Sequence, residues 1–272
     1  MSKHVSRRTF LKGGAAAVGA LAAGVIPRAE AVAAAPQDKA QVFFTPDIGV
    51  EGLLKVYARI NLGLRGSVAV KLHTGEPHGP NILPPDMVRA FLEHVPGHTI
   101  VECNVLYASP RQTTAGHREV LKTNGWTFSP VDIMDEDGDV SLPVPGGRHL
   151  KEVAVGAHLI NYDSMLVLSH FKGHPMGGYG GALKQLAIGC ASRAGKALIH
   201  SAGKTDDRFK TWEQHASSVV FPEAMADAAS SVIEHFRGKI AFINVMKNLS
   251  VDCDCCAVAE DPCMKDIGIL AS

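Results

Sequence analysis

Four of the chain's six cysteines lie in one stretch of fourteen residues, SVDCDCCAVAEDPC, from Ser250 to Cys263. The spacing C-x-C-C-x6-C matches neither the paired cysteines of zinc fingers nor the regular ferredoxin pattern. An irregular set of thiolates still selects soft metals such as iron in clusters, zinc or copper(I). We therefore expect an iron–sulfur centre or another soft transition metal, with ligands drawn from Cys253, Cys255, Cys256 and Cys263.

Two other interpretations of this stretch stay open, namely disulfides and buried or reactive thiols. An oxidising compartment permits disulfides, although the adjacent Cys255 and Cys256 cannot bridge each other without strain. The carboxylates of Asp252 and Asp254 should favour a cation and raise the pKa of the nearby thiols. Cys190, in the segment GCASRAGK, is either a further ligand or a small core residue.

Histidines and lysines are concentrated in SHFKGHPMGGYGGALK. His170 and His174 are four residues apart with Lys172 between them, which on a helix would place both imidazoles on one face. Gly173 and Pro175 favour a loop instead, where the histidines could still bind a metal or transfer protons.

Glycines follow these histidines and precede a predicted helix. Gly180 and Gly181 would let the backbone approach a bound anion, and the helix N-terminus would offer N–H groups to it. A flexible turn is the alternative. Lys172 and Lys184 could bind the negative charge of a substrate, although Lys184, on the predicted helix, could instead lie on the surface.

Two further segments place polar residues after predicted strands. His73 and Glu76, in HTGEP, could act as acid and base or as ligands, or could form a hydrogen-bonded turn. Arg111 suits a carboxylate or phosphate, so Arg111 and Asn104 are predicted to bind substrate. His117 falls within a predicted helix, where a surface position is expected.

The elements that must position these residues alternate between strands and helices. Apolar, β-branched runs predict strands, and amphipathic segments with capping residues predict helices. The predicted strands are SVAVKLH, HTIVECN, SMLVLSH and GKIAFINVM, and the predicted helices are DMVRAFLEHV, TTAGHREVLKTNG, GGALKQLAIGCA and FPEAMADAASSVIEHF. This order predicts a single α/β domain with a mostly parallel or mixed sheet flanked by helices. Functional residues of such sheets gather where strands end.

The N-terminus has the pattern of a twin-arginine export signal. Arg7 and Arg8 precede a weakly apolar run, and small residues suited to cleavage follow near Ala33 and Ala34. We expect residues 1–34 to be a signal that engages the twin-arginine translocase and residues 35–272 to form the α/β domain in the periplasm. The apolar run is too short for a stable membrane span.

Composition excludes some functions. Without residues 1–34 the chain has 22 basic and 26 acidic residues, with no basic patch, so nucleic-acid binding is not expected. Neither a G-x-S-x-G nor a dinucleotide-binding motif follows a strand.

The segments KLHTGEP, NVLYASPR, SHFKGHPMGGYGGALKQLAIGCASRAGK, FINVMKNLSVDCDCC and DIGILAS resemble the DUF362 family, from about Val68 to Ser272. These are uncharacterised bacterial and archaeal proteins often described as containing an iron–sulfur centre. Many relatives carry a ferredoxin-like insert after GCASRAGK, and here that position has no cysteine. Relatives also usually continue past DIGILAS with a further helix, so a C-terminally truncated member is expected.

Together these features predict an exported protein that binds a metal or an iron–sulfur centre. Its activity would be redox or metal-assisted chemistry on a small anionic molecule. Its partner would be that substrate or a redox partner. Two alternatives stay open. One is a metal-independent acid–base enzyme that uses lysine, histidine and glutamate, and the other is a periplasmic metal carrier without catalysis.

Overall fold

An uninterrupted apolar run forms the centre of the main sheet. The structure, a computed structural model, describes residues 40–272, and the predicted signal at 1–34 lies outside them. Ser164–His170 is buried at every position, as expected for a strand covered on both faces. The strands of the described part are β1 Phe43–Thr45, β2 Val68–Lys71, β3 His98–Glu102, β4 Val131–Ile133, β5 Asp139–Pro143, β6 Glu152–Gly156, β7 Ser164–His170, β8 Lys172–His174, β9 Gly178–Gly180, β10 Ile240–Met246 and β11 Gly268–Ala271.

Six α-helices accompany these strands in the described part. They are α1 Val50–Ile60, α2 Pro85–Leu92, α3 Thr114–Thr123, α4 Ala182–Cys190, α5 Arg193–His200 and α6 Val220–His235. No helix within 40–272 is both long and apolar enough to cross a membrane.

The main sheet has seven strands in the order β1-β11-β10-β7-β2-β3-β4. The five strands from β10 to β4 are parallel, and β11 and β1 add an antiparallel edge. The chain builds the sheet outward from β2 through β3 to β4, then returns to place β7 and β10 on the other side of β2. The order therefore reverses between β2 and β7, which is where α/β sheets usually bind ligands.

Alternating residues of the central strands feed two separate cores. Ala69 and Val167 pack with α4, α6 and the β5–β6 hairpin on one face. Val70 and Leu168 pack with α1 and α2 on the other. The result is three layers, with the sheet between two layers of helices.

The predicted fold class is confirmed, and all four predicted strands and four predicted helices are present. The prediction omitted α1, α5, β1, β4, β11 and the β5–β6 hairpin. It was also wrong about the segment at Gly173, which forms the β8–β9 hairpin rather than a loop. Glycine still has a steric role there, because a Cβ on Gly173 would lie 2.0 Å from the carbonyl oxygen of Val251.

Candidate functional site

A cavity of about 190 Å³ opens at the carboxyl ends of β2, β3 and β7, beside the reversal in strand order. Its walls come from these strand ends, from the β8–β9 hairpin and from α4 and α5. The predicted site residues that line it are His73, Arg111, Lys172, His174, Gly181, Lys184 and Cys255.

Three possible metal ligands converge next to this cavity. Cys253 and Cys255 come from the loop after β10, and His174 comes from the β8–β9 hairpin. One ligand atom from each lies within 4.8 Å of the others. Two of the predicted cysteine ligands are therefore brought together, with a histidine as the third potential ligand.

The two thiols of this group differ in acidity. The Lys184 ammonium lies 2.8 Å from the Cys253 sulfur. A hydrogen bond from Cys255, with the positive charges of Lys184 and Lys172, holds the pKa of Cys253 well below its usual value. The same hydrogen bond, with burial, raises the pKa of Cys255. The expectation that neighbouring aspartates raise both thiol pKa values was therefore wrong for Cys253.

His174 is neutral and held by the hairpin turn. Burial and the charge of Lys184 lower the pKa of His174 to about 4. The Gly177 amide donates to its Nδ1 at 2.9 Å, so the proton of the neutral ring lies on Nε2. A metal bound at either nitrogen would release the Gly177 bond, because Nδ1 would then carry either the metal or the proton. Metal binding must therefore coincide with a small movement of this turn.

A buried ion pair fixes the thiol-bearing loop. Asp254 accepts from Lys172 at 2.6 Å and from His170 Nδ1 at 2.9 Å. Burial alone would raise the pKa of Asp254, but Lys172 and His170 keep it below its usual value. The other ring nitrogen of His170 lies 2.6 Å from the Lys247 carbonyl oxygen. Both nitrogens are thus occupied, and His170 positions the loop rather than facing the cavity.

The hairpin and the loop also meet through the backbone. The Gly173 amide donates to the Ser250 carbonyl at 2.8 Å. On the far side of the loop, the Glu76 amide donates to the Asp254 carbonyl at 3.2 Å. The segment with Cys253 and Cys255 is therefore anchored from two directions.

A second buried network contributes Lys71, Glu102 and Arg111 to the cavity lining. Glu102 accepts from Lys71 Nζ at 2.6 Å and from Arg111 at 3.0 Å. Burial raises the pKa of Glu102, but the charges of Lys71 and Arg111 outweigh it and hold that pKa well below the usual range. Arg111 also donates to Glu76 at 3.2 Å. This guanidinium is thus directed at two carboxylates of the protein.

Glu76 is committed to the same network. Its carboxylate accepts from the hydroxyl groups of Tyr107 and Ser109, each at 2.5 Å, and from Arg111. It is buried and does not line the cavity. These three bonds leave Glu76 poorly placed to accept a proton from a substrate.

His117 is buried, so the expected surface position was wrong. Arg111 Nε donates to its Nε2 at 3.1 Å. Burial and Arg111 lower the pKa of His117 to about 3. The Asn104 side chain contacts His117 and donates to Thr114 at 3.2 Å. Asn104 therefore supports this network and does not line the cavity.

His73 is the imidazole that faces the cavity from β2. Its Nδ1 accepts from the Gly75 amide at 2.9 Å, which leaves the proton of the neutral ring on Nε2. Burial and Arg111 lower the pKa of His73 to about 3. His73 is thus a neutral hydrogen-bond donor in the cavity at neutral pH.

The remaining predicted cysteines do not belong to the group formed by Cys253, Cys255 and His174. Cys190 is buried in the core at the end of α4, where burial raises its pKa to about 12. Cys256 is half-buried, and Cys263 is exposed with its thiol near the Leu249 carbonyl. No two of the cysteines, all within the described residues, form a disulfide. Gly180 lies in β9 and does not line the cavity.

The glycine turn before α4 has fewer free backbone amides for an anion than the sequence predicted. The first helical amide of α4, from Ala182, already donates to the Asn244 side chain at 3.0 Å. Gly181 reaches the cavity wall as the N-cap of that helix.

Among the cavity residues missed from the sequence are Lys71, Glu102, Lys196, His200 and Trp212. Lys71 and Glu102 interrupt predicted apolar strands, and a charge at a buried strand position needs a partner. That signal could have found both. The other three come from α5 and the turn after it, which carried no strand-end signal.

A second group of potential ligands consists of Asp132, Glu136 and His158. Both ring nitrogens of His158 already pair with carboxylates, those of Asp132 at 2.8 Å and Asp137 at 2.9 Å. Glu136 pairs with Arg118. These contacts account for the group as surface ion pairs.

Comparisons with known proteins agree with the sequence resemblance. A family model described as "Domain of unknown function (DUF362)" matches residues 68–272, which is most of the chain. A model of the twin-arginine translocation signal sequence matches residues 4–24, so the protein carries a signal for export to the periplasm. A comparison with curated proteins finds no match.

Two solved structures are similar to this chain. The lactate racemase apoprotein from Thermoanaerobacterium thermosaccharolyticum aligns with a TM-score of 0.47 and 11% identity, covering 78% of this chain and 52% of that one. A Thermotoga maritima protein aligns with a TM-score of 0.45 and 14% identity, covering 72% of this chain and 49% of that one. This chain thus spans about half the length of each.

Proposed function

The chain belongs to the DUF362 family, and we propose that it is an exported protein that binds one soft metal ion and acts on a small anionic molecule. The ligands are Cys253, Cys255 and His174. The observation that carries this proposal is the convergence of their three donor atoms within 4.8 Å beside a cavity.

The three donor atoms, which lie within 4.8 Å of one another, are close to the spacing that a single ion requires. Bonds from zinc to sulfur and to nitrogen are about 2.3 and 2.0 Å, so two sulfur donors of one ion stand at most about 4.6 Å apart. Thiolate and imidazole together favour zinc or copper(I) over hard cations. An iron–sulfur cluster usually needs four cysteines, and only two belong to the group. A single ion is therefore a better fit than a cluster.

Three protein ligands leave room for substrate. A metal held by these three residues would supply a Lewis acid that polarises an oxygen atom of the substrate. Lys184, beside Cys253 at 2.8 Å, adds positive charge for an anionic ligand. Lys172 is neutralised by Asp254 and keeps the loop in place. His73 can donate a hydrogen bond from Nε2.

A second candidate is a metal-independent enzyme in which His73 transfers protons. The observation that favours it is a neutral imidazole that lines the cavity. Glu76, its predicted partner, already accepts three hydrogen bonds. An activity that survives strong chelators would favour this candidate. A periplasmic metal carrier would instead bind the ion tightly and convert no substrate.

The metal proposal is tested by direct metal analysis. The protein is expressed from the full-length gene and purified without oxygen, and its zinc, copper, nickel, iron and sulfide are measured per chain. After chelation it is titrated with cobalt(II), whose thiolate absorption reports sulfur ligation. We expect one ion per chain, and at least hundredfold weaker binding in Cys253→Ser, Cys255→Ser and His174→Ala, since each removes one of three ligands.

Cys263→Ser is the matched control, because Cys263 is an exposed thiol in the same segment. It should bind cobalt as the wild type does. Equal amounts of iron and sulfide would replace the single ion with a cluster. Wild-type affinity in the Cys253 and Cys255 variants would refute the site.

A further inference from the structure

We propose that the Lys196 ammonium binds the carboxylate of a small organic acid whose apolar part contacts the apolar side chains that line the same cavity. This inference deepens the proposed function by naming a substrate class and an anchoring residue. It concerns the cavity between α4 and α5 and does not require the metal.

Lys196 is a buried cation whose positive charge is poorly compensated by its neighbours. It lies on α5, lines the cavity and is only 4% exposed. Its Nζ donates to the Ala191 carbonyl at the end of α4, at 2.5 Å. No carboxylate of residues 40–272 pairs with it. An ammonium has three donors, so hydrogen-bonding capacity remains for a ligand.

The other cations around the cavity have charged or thiol partners, which leaves the positive charge of Lys196 uncompensated. Among the lining cations, Lys71 pairs with Glu102, and Arg111 with two carboxylates. Lys172 is likewise neutralised by a buried aspartate, and Lys184 has a thiol neighbour. Buried charges are generally paired. An anion from solution would therefore complete the arrangement at Lys196.

The other residues that line the cavity indicate the chemistry of the rest of the ligand. Val105, Leu106, Met176 and Ile188 provide apolar side chains, and Trp212 adds an aromatic one. A volume of about 190 Å³ admits only a small molecule.

Lys196 presents a single ammonium group, and Arg111, the arginine of the cavity lining, is already directed at two carboxylates. Such a site suits a monoanion better than a phosphate ester. The arrangement therefore points to a short monocarboxylic acid with an apolar chain. Butanoate has these properties and serves as the probe.

Binding of butanoate is measured by calorimetry and by tryptophan fluorescence on the chelated, metal-free protein. We expect saturable millimolar binding in the wild type and none for 1-butanol, which has the same chain without charge. Lys196→Met should weaken butanoate binding at least tenfold, as expected for a lost charged hydrogen bond. Lys196→Arg, which retains the charge, should lose less.

Lys204→Met is the control, because Lys204 is exposed in the turn after α5. It should bind butanoate like the wild type. Circular dichroism and thermal unfolding establish that each variant is folded, and Lys196→Arg still tests the proposal if the methionine variant is not.

Three results would overturn the proposal: no butanoate binding by the wild type, equal binding of 1-butanol, or unchanged affinity in folded Lys196→Met. None of these three results would contradict the proposed metal site, which is tested by cobalt binding. Conversely, failed cobalt binding with Lys196-dependent butanoate binding would refute the metal site alone.

Discussion

At the scale of single residues, the site rests on buried charges that compensate one another. Glu102 is the most connected of them. It accepts from Lys71, Arg111 and both the amide and the hydroxyl of Thr74. Removing one member of such a network leaves an uncompensated charge, which destabilises more than the intact pair stabilises.

Glu102→Gln should therefore lower the free energy of unfolding by about 3 kcal/mol. The glutamine keeps the shape of the side chain but leaves Lys71 and Arg111 buried with less counter-charge. Urea unfolding followed by circular dichroism measures the change. Glu119→Gln, which breaks the exposed pair with Lys122, should change stability by less than about 0.5 kcal/mol. Equal effects of the two substitutions would contradict this account.

At the scale of elements, the β8–β9 hairpin and the loop after β10 together present the ligands. Gly173 is the point of closest approach, because a Cβ there would lie 2.0 Å from the Val251 carbonyl oxygen. The hairpin carries His174, and the loop carries Cys253 and Cys255. Their spacing therefore controls whether all three donors can reach one ion.

Gly173→Ala should push the loop away from the hairpin and weaken cobalt binding at least tenfold. Labelling of Cys255 by a thiol reagent should become faster in the same variant. Gly178→Ala is the control on the same hairpin. Gly178 has φ +76°, and a Cβ there would have no neighbour within 4 Å. This substitution should therefore lower stability by about 1 kcal/mol without changing cobalt affinity. Unchanged affinity in Gly173→Ala would show that the loop adapts.

The same elements show what the sequence can and cannot predict. The central strands were found because their apolar runs report burial directly. Helix α5 was missed because it has only eight residues and contains Gly195, which lowers helix propensity. Gly195 is needed there, since a Cβ would lie 1.9 Å from the Ala154 carbonyl oxygen. Strand β11 was missed because it is four residues long and depends on pairing with distant β10 and β1.

The candidate site was only partly predictable for a related reason. Cysteine type and clustering pointed to Cys253 and Cys255, but spacing could not separate them from Cys256 and Cys263. The structure separates them by direction, because the loop turns two thiols toward the hairpin and leaves Cys263 exposed. Such convergence depends on tertiary packing and leaves no local pattern.

At the scale of the whole molecule, one cavity at the reversal in strand order collects side chains from distant parts of the chain. Four histidines in or beside it, two buried and two half-buried, are kept neutral. Burial is the main cause, with added repulsion from arginine or lysine charges. It lowers the pKa to about 3 in His73 and His117, and to about 4 in His174 and His200.

These shifts predict acid sensitivity with a defined sign. The unfolded histidines titrate near 6.5, so between about pH 6.5 and 4 the unfolded chain binds protons that the folded chain does not. Each of these four histidines should therefore lower the free energy of unfolding as the pH falls, by up to about 1.4 kcal/mol per pH unit. His158, whose pKa is raised by its hydrogen bonds to Asp132 and Asp137, contributes in the opposite direction. Carboxylates with lowered pKa values, such as Glu102 and Asp254, contribute mainly below about pH 4.5, so measurements between pH 7 and 5 isolate the histidines.

Urea unfolding of the chelated protein at pH 7, 6 and 5 measures this dependence. His117→Gln should make it shallower by up to about 1.4 kcal/mol per pH unit, because glutamine can still accept from Arg111 but does not titrate. His94→Gln, at an exposed position, should leave the slope unchanged. A slope in His117→Gln equal to that of the wild type would mean that His117 is protonated in the folded protein. The buried network around Arg111 would then carry one more positive charge than its hydrogen bonds indicate.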